Sequence, residues 1–377
     1  MKIQHVITSM GMNWGGPALT TLLVVRGLRN IHIDASILTY GVGDGDKPVS
    51  GEDFIVSLPS LSAWQQTAGW SLPMKKALKK TSPDIYHIQG LWQYPIYETA
   101  RVAQRKNTPY IITLHGQLYP QALVLSSLKK KIALSLFQRR QLQQAACIHA
   151  TCMEEYRYYR ALGFTNPVAV VPNPIDCNEY PLYSRTDNIK RVGYLGRIHP
   201  RKNIHRLIDV WARLEIEDGV LLIMGDGDAA YLELLHEKVR KLELRNAFFT
   251  GFVKGEKKQQ LLASLSCLVV PSDFENFGMI IPEALLQNVP VIASTGTPWE
   301  ELNTYNCGWW VDNDADTLVN TLHEALSLNE DTRYEMGNRG RELMLQKYSM
   351  ETISIQMKQM YDWAIGNTSK PEFIFVD

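Results

Sequence analysis

The residues most able to do chemistry in this 377-residue chain are carboxylates and cations set close to glycine turns. Glu275 and Glu283 lie within PSDFENFGMIIPEALLQNVPVIAS, the stretch from Pro271 to Ser294. Pro271 ends the apolar run CLVV, and Glu275 falls in the loop that follows. Phe277-Gly278 then leads into MIIPEALLQ, whose apolar spacing predicts a helix. Pro282 fits only the first turn of that helix, where its missing N–H would have no partner anyway. A helix start carries free N–H groups and positive partial charge, which suits a phosphate. A carboxylate beside it suits neutral donors such as sugar hydroxyls. Arg197 and Lys202 flank a turn ahead of the helical stretch NIHRLIDVWARLE and can converge on a diphosphate. Arg201, next to Lys202, reads as a bystander. The chemistry implied is a pocket for a sugar nucleotide.

The first half carries further candidates. YIITLHG (110–116) is a buried strand closed by His115, and ligands of open α/β sheets bind at the carboxyl ends of strands. His87, Gln89, Trp92 and Tyr94 gather at and after the strand DIYHIQG (84–90), a cluster suited to stacking on a sugar and bonding it. Burial of aromatics over the sheet is the competing explanation for Trp92 or Tyr94. Two formal acidic pairs, Asp44-x-Asp46 and Asp226-x-Asp228, sit in glycine turns and are assigned no metal. The strand KIQHVITS (2–9) runs into the loop MGMNWGGP and a helix from about Ala18 to Arg29, a Rossmann-like opening. Gly11, Gly15 and Gly16 do not form G-x-G-x-x-G, and Tyr40-Gly41 stands where a ribose-binding acid is expected. That argues against a dehydrogenase.

Composition frames these candidates. With 45% hydrophobic residues the chain can bury large cores, and its length implies two or three domains. Net charge is zero but divided: residues 1–185 hold 19 Lys/Arg against 11 Asp/Glu, and the remainder 20 against 28. Five scattered cysteines without a CxxC pair argue against a disulfide framework or a zinc site, and fit a reducing compartment. KIQHVITSM reads as a strand rather than a signal peptide, and no apolar run is long enough to span a bilayer. The expectation is a cytoplasmic protein. From Thr99 to Met153 there is no Asp or Glu but eight basic residues, among them Lys129, Lys130, Lys131, Arg139 and Arg140. Leucines and Ile132 recur beside them at helical spacing, a basic amphipathic pattern suited to anionic lipid. A solvated helix face is the plainer reading. Nucleic acid is disfavoured, since no binding motif accompanies the basic run.

The E-x7-E pattern in ENFGMIIPEAL, set between strand, FG turn and PVIAS strand, resembles the signature of retaining, Leloir-type glycosyltransferases of family 4 (group 1). GRIHPRK is similar to that family's G-R-x-x-x-x-K motif, and the resemblance runs from the Gly-Gly loop to the last helix. It implies an α/β chain of two Rossmann-like domains facing a cleft, the GT-B fold. Residues 1–184 would form the acceptor-side domain, and 185–350 the donor-nucleotide domain. Residues 351–377 would be a helix and tail crossing back to the first. It further implies that Arg197 and Lys202 hold the diphosphate, aided by the amides of Phe277, Gly278 and Met279, and that Glu283 holds the ribose. Glu275 and His115 would face the transferred sugar as catalytic residues, and Gly15-Gly16 would approach the donor phosphate or acceptor, with a plain tight turn as the equal alternative. No metal or cofactor is expected, because the cations can neutralise the leaving diphosphate. Pro174 replaces a glycine usual in the family's PNG turn. Trp299 separates Pro298 from Glu300-Glu301 where relatives carry PE, leaving open which glutamate faces inward. TPWEEL together with ENFG resembles bacterial exopolysaccharide, O-antigen or capsule enzymes. The expected partners are a UDP- or GDP-sugar, a glycan or lipid-linked acceptor, and the inner face of the cytoplasmic membrane. An epimerase, a transferase for a small soluble acceptor and a non-catalytic binding partner are the alternatives.

Overall fold

The computed structural model describes residues 1–43, 45–60, 71–124, 130, 132–185 and 187–376. Asp44, Lys129 and Lys131 lie outside the described residues. The chain divides into two compact units, Met1–Ile175 with Tyr348–Asp377, and Asp176–Lys347. The stretch YPLYSRTDN, which reads as a linker, belongs to the second unit. Its Tyr183 N–H donates to Gln287 Oε1 at 3.2 Å, and Gln287 Nε2 returns a bond to the Pro181 carbonyl at 3.0 Å.

In the first unit, β1 (Lys2–Ser9), β2 (Asp34–Tyr40), β3 (Ile55–Leu58), β4 (Ile85–Gln89), β5 (Tyr110–Thr113), β6 (Cys147–Ala150) and β7 (Val168–Val170) run parallel. Their order is β3-β2-β1-β4-β5-β6-β7. Helices cover both faces, so the central strands read as near-continuous apolar runs rather than alternating ones. Ile88, Ile112 and Ile148 pack into one core and Ile3, Ile37 and Ile111 into another. β5 ends at Thr113, so His115 stands two residues past the ladder.

The second unit repeats the plan. β8 (Lys190–Leu195), β9 (Gly219–Met224), β10 (Ala247–Gly251), β11 (Cys267–Val270), β12 (Val291–Ser294) and β13 (Gly308–Val311) form a parallel sheet ordered β10-β9-β8-β11-β12-β13. Strand order reverses between β8 and β11, and a crevice forms outside the carboxyl ends at such a point. The segments leaving those two strands are Gly196-Arg197 and Pro271 to Glu275.

Past the second unit the chain returns to the first. Helix Met350–Ala364 packs on helix Gly16–Asn30 so closely that a Cβ on Gly27 would lie 1.9 Å from Ser354 Oγ. Ile353, Met357, Met360 and Tyr361 complete the core there, and β14 (Ile374–Phe375) adds an antiparallel edge to β7. Among the described residues no helix is long and apolar enough to cross a membrane.

Candidate functional site

In the second unit, a cavity of about 380 Å³ opens at the β8/β11 switch point, lined by Arg197, His199, Arg201, Lys202, Glu275, Asn276, Gly278 and Met279. The Arg197 and Arg201 guanidinium groups have no partner among the described residues, and both side chains are exposed. Arg201, a bystander in the sequence reading, is therefore a third cation of the same wall. Lys202 Nζ donates to Glu275 Oε1, which also accepts from Ser272 Oγ at 2.8 Å. A cationic wall with one internal carboxylate can bind a diphosphate while keeping an acceptor for sugar hydroxyls.

A second lobe of about 390 Å³ shares Leu195, Gly196, Arg197 and Ile280 with the first and extends to Phe252, Lys258 and Glu283. Glu283 is 8% exposed. Its Oε1 accepts from Tyr180 Oη at 3.0 Å and pairs with Lys258 Nζ at 2.9 Å. Oε2 has no protein partner among the described residues, which leaves it for a diol. Burial, and then the Glu283 carboxylate, push the Tyr180 phenol up and keep it a donor. Sequence reasoning missed both partners. Lys258 lies in the polar helix Gly255–Ala263, and Tyr180 in the stretch read as a linker.

The loops owe their shape to a few contacts. Gly278 has φ +78°, a left-handed conformation that favours glycine, and Trp299, fully buried, donates from Nε1 to the Phe277 carbonyl at 2.5 Å. Trp299 therefore anchors the FG turn from behind. Glu300 is exposed, and Glu301 pairs with Lys347 at 2.6 Å. The Gly278 and Met279 amides have no acceptor among the described residues. The regular helix that follows, Ile280–Leu285, is only six residues, so its dipole contributes less than the nine-residue pattern implied. Across the crevice, Gly225 and Gly227 let one backbone approach another. A Cβ on them would meet the Gly196 and Ile198 carbonyl oxygens at 1.9 and 2.2 Å. Asp226 and Asp228 accept from the Gly227 and Tyr231 amides, as turn and cap residues do. Asp46 likewise accepts from the Asn13 and Lys47 amides. Among the described residues no group of three or more His, Cys, Asp or Glu is arranged to hold a metal ion.

In the first unit, His115 (φ +50°) and Gly116 (φ +69°) form a left-handed step just past β5. Glu155 pins it, accepting from the Gly116 amide and from Thr151 N and Oγ1. A non-glycine residue held at positive φ stores strain that the surrounding contacts must hold in place. His115 Nε2 bonds Gln89 Oε1 at 2.9 Å. His87, expected among the acceptor-side residues that bond a sugar, is instead a core residue. It is 1% exposed, and both ring nitrogens are taken, by Tyr361 Oη at 2.6 Å and Thr113 Oγ1 at 2.7 Å. Gln89 is also buried and bridges His115 to His5. Trp92 (φ +73°) packs on the core, while Tyr94 starts helix Tyr94–Lys106, partly exposed. Gly15 and Gly16 are exposed at the start of helix Gly16–Asn30, with open space where a Cβ would stand.

The basic segment divides by role. Arg139 stacks its guanidinium 4.8 Å from the Phe164 ring centre and donates to the Leu162 carbonyl at 3.1 Å, so it serves the fold rather than a free surface. Arg140 is exposed, as are Ile132 and Leu136, and Lys130 bonds the Ala122 carbonyl.

The family model described as glycosyl transferases group 1 matches residues 184–343, and the one described as glycosyl transferase 4-like domain matches residues 15–174. The chain is 28% identical over 183 residues to an uncharacterized glycosyltransferase of Methanocaldococcus jannaschii, covering 48% of this chain and 46% of that one. It is 29% identical over 175 residues to O-antigen chain mannosyltransferase B of Escherichia coli, covering 45% and 44%. The match thus spans about half the length of these relatives. Among solved structures, HepE of Anabaena in complex with UDP and glucose is similar with a TM-score of 0.74 at 19% identity, over 96% of this chain and 100% of that one. The likeness is one of fold, two parallel-sheet α/β units in the GT-B manner.

Proposed function

We propose that this chain, which belongs to the group 1 glycosyltransferases, moves a sugar from a nucleoside diphosphate donor to a glycan acceptor with retention and without a metal. The observation that carries this is the cavity with Arg197, Arg201 and Lys202 on its wall, continuous with a lobe that ends in Glu283. Glu283 Oε2 accepts the ribose hydroxyls, oriented by Tyr180 and Lys258. The three cations and the Gly278 and Met279 amides hold the diphosphate and neutralise it as it leaves. Glu275 binds hydroxyls of the transferred sugar, and its charge stabilises an oxocarbenium-like transition state. The sugar–phosphate bond breaks as the acceptor oxygen attacks from the same face. The acceptor's proton passes to the departing phosphate oxygen. His115 serves as a contact for a substrate hydroxyl.

The Escherichia coli relative is an O-antigen chain mannosyltransferase, and the Anabaena structure holds UDP and glucose. UDP- and GDP-sugars are accordingly the donors to try. The acceptor proposed is a lipid-linked, growing cell-surface glycan. The enzyme would work on the cytoplasmic side of the membrane, its basic segment against anionic lipid.

The test is incubation with UDP- and GDP-sugars, with and without membrane extract and EDTA, followed by NMR of the product's anomeric centre. Transfer that survives EDTA and keeps the donor's configuration is expected. Restoration only by Mn²⁺ or Mg²⁺ would refute the metal-free chemistry, and an inverted product would refute retention. Failure to turn over any donor would sink the reading.

A further inference from the structure

Four histidines of the first unit lie on one continuous chain of hydrogen bonds through its core. From the inner end, His149 Nε2 bonds the Val171 carbonyl at 2.8 Å. His149 Nδ1 meets Thr113 Oγ1 at 2.9 Å, and Thr113 Oγ1 meets His87 Nε2 at 2.7 Å. His87 Nδ1 meets Tyr361 Oη at 2.6 Å, and Tyr361 Oη meets His5 Nε2 at 3.3 Å. His5 Nδ1 meets Gln89 Nε2 at 3.1 Å, and Gln89 Oε1 meets His115 Nε2 at 2.9 Å. His5, His87, His149, Thr113 and Tyr361 are all buried, and their elements span β1, β4, β5, β6 and helix Met350–Ala364.

The direction of this chain is determined by its inner end. A carbonyl can only accept, so His149 carries its proton on Nε2 and presents a bare Nδ1. Thr113 has one hydroxyl hydrogen and gives it to that Nδ1, so its oxygen accepts from His87 Nε2–H. The bare Nδ1 of His87 then takes the Tyr361 hydrogen, and the Tyr361 oxygen accepts from His5 Nε2–H. His5 Nδ1 accepts from the Gln89 amide N–H, which turns the Gln89 oxygen toward His115 Nε2–H. Each step holds only while the rings are neutral. Burial above all keeps them so, pushing His5 and His115 down to about 3, His149 to about 4, and His87 well below the usual histidine value.

We infer that this buried relay sets the tautomer of His115, placing its proton on Nε2 and leaving the Nδ1 lone pair to accept a hydrogen bond from a substrate hydroxyl. Gln89, His5, Tyr361, His87, Thr113 and His149 are then positioning residues that act through His115. The role toward substrate rests on the transferase reading above, whereas the tautomer does not. Among the described residues, His115 Nδ1 has no protein partner. A reversed relay would present Nδ1–H there and repel the hydroxyl hydrogens it is meant to receive.

Long-range ¹H–¹⁵N spectra of the full chain labelled at histidine test the inference at about pH 7. The expected pattern is the Nε2–H tautomer for His5, His87, His115 and His149 alike. Tyr361→Phe keeps the packed ring but removes the link between His87 and His5, so His115 should become a mixture of tautomers. Thr113→Val breaks the chain one step further in and should do the same. With an active donor, Tyr361→Phe should cut kcat about tenfold while UDP or GDP affinity, a property of the second unit, is unchanged. A wild-type His115 protonated at Nδ1, or an unaltered His115 signal in both variants, overturns the relay. Mixed tautomers with an undiminished kcat overturn its role in transfer. Absence of turnover with any donor sinks the transferase reading and leaves the spectra as the judge of the tautomer.

Discussion

Lys202 Nζ and Glu275 Oε1 are bonded to each other inside the cavity where each is proposed to serve a different part of the donor. A diphosphate must compete with Glu275 for the lysine, so the two side chains should respond oppositely to truncation. Lys202→Ala should weaken UDP or GDP binding by about 1.5–3 kcal/mol, roughly 10- to 100-fold. Glu275→Ala should leave nucleoside diphosphate affinity intact or raise it, while abolishing transfer. Titration calorimetry decides this, and an equal loss of affinity in both variants would contradict it.

Trp299 does not line the cavity but holds the Phe277 carbonyl behind its wall. Trp299→Phe removes that bond, which should cost about 0.5–1.5 kcal/mol of stability. Because Gly278 and Met279 follow the same turn, donor affinity should fall along with melting temperature. A destabilised variant with undiminished UDP and GDP affinity would show that the turn holds its shape without the indole.

The histidine seam makes a prediction about acid. The folded values of His5 and His149, about 3 and about 4, lie below the ordinary 6.5, so the unfolded chain binds more protons as pH falls. Stability is therefore complete above about pH 6.5 and is lost on descending toward pH 4, at about 1.4 kcal/mol per pH unit for each such histidine. His149→Gln should flatten the slope of unfolding free energy between pH 6 and 4. A slope identical to wild type would mean that His149 is not held neutral.

Arg139 and Arg140 are neighbours with separate duties. Arg139→Ala should lower stability through loss of the Phe164 stacking and the Leu162 bond, with little change in vesicle binding. Arg140→Glu combined with Lys130→Glu should weaken binding to anionic vesicles, each basic residue being worth about 1 kcal/mol at such a surface. Flotation with phosphatidylglycerol vesicles reads this directly, and undiminished flotation would remove the membrane from the proposal.

The glutamate motif was legible because strand, turn, helix and strand are contiguous, and each leaves a local signature. The same holds for Arg197 and Lys202 on either side of one turn. Tyr180 was not legible, because its partner Glu283 is 103 residues away and its own surroundings look like a tether. Arg201 was dismissed because charge alone does not tell which way a side chain leaves a short 3-10 turn, Pro200–Lys202. His87 misled for another reason. A polar residue in an otherwise apolar strand suggests an exposed end, yet a strand covered on both faces can bury a histidine whose partners arrive from elsewhere. Those partners, Thr113 and Tyr361, come from another strand and from a helix near the far end of the sequence.

Tyr361 reaches His5 across 356 residues, and that interval contains the whole second unit. On a ribosome, β1 to β7 emerge long before helix Met350–Ala364 is made, so the nascent first unit must wait with its histidines unsealed and one flank of its core open. The second unit is contiguous and can fold as soon as its own last helix is out. Order of maturation thus runs opposite to order of synthesis.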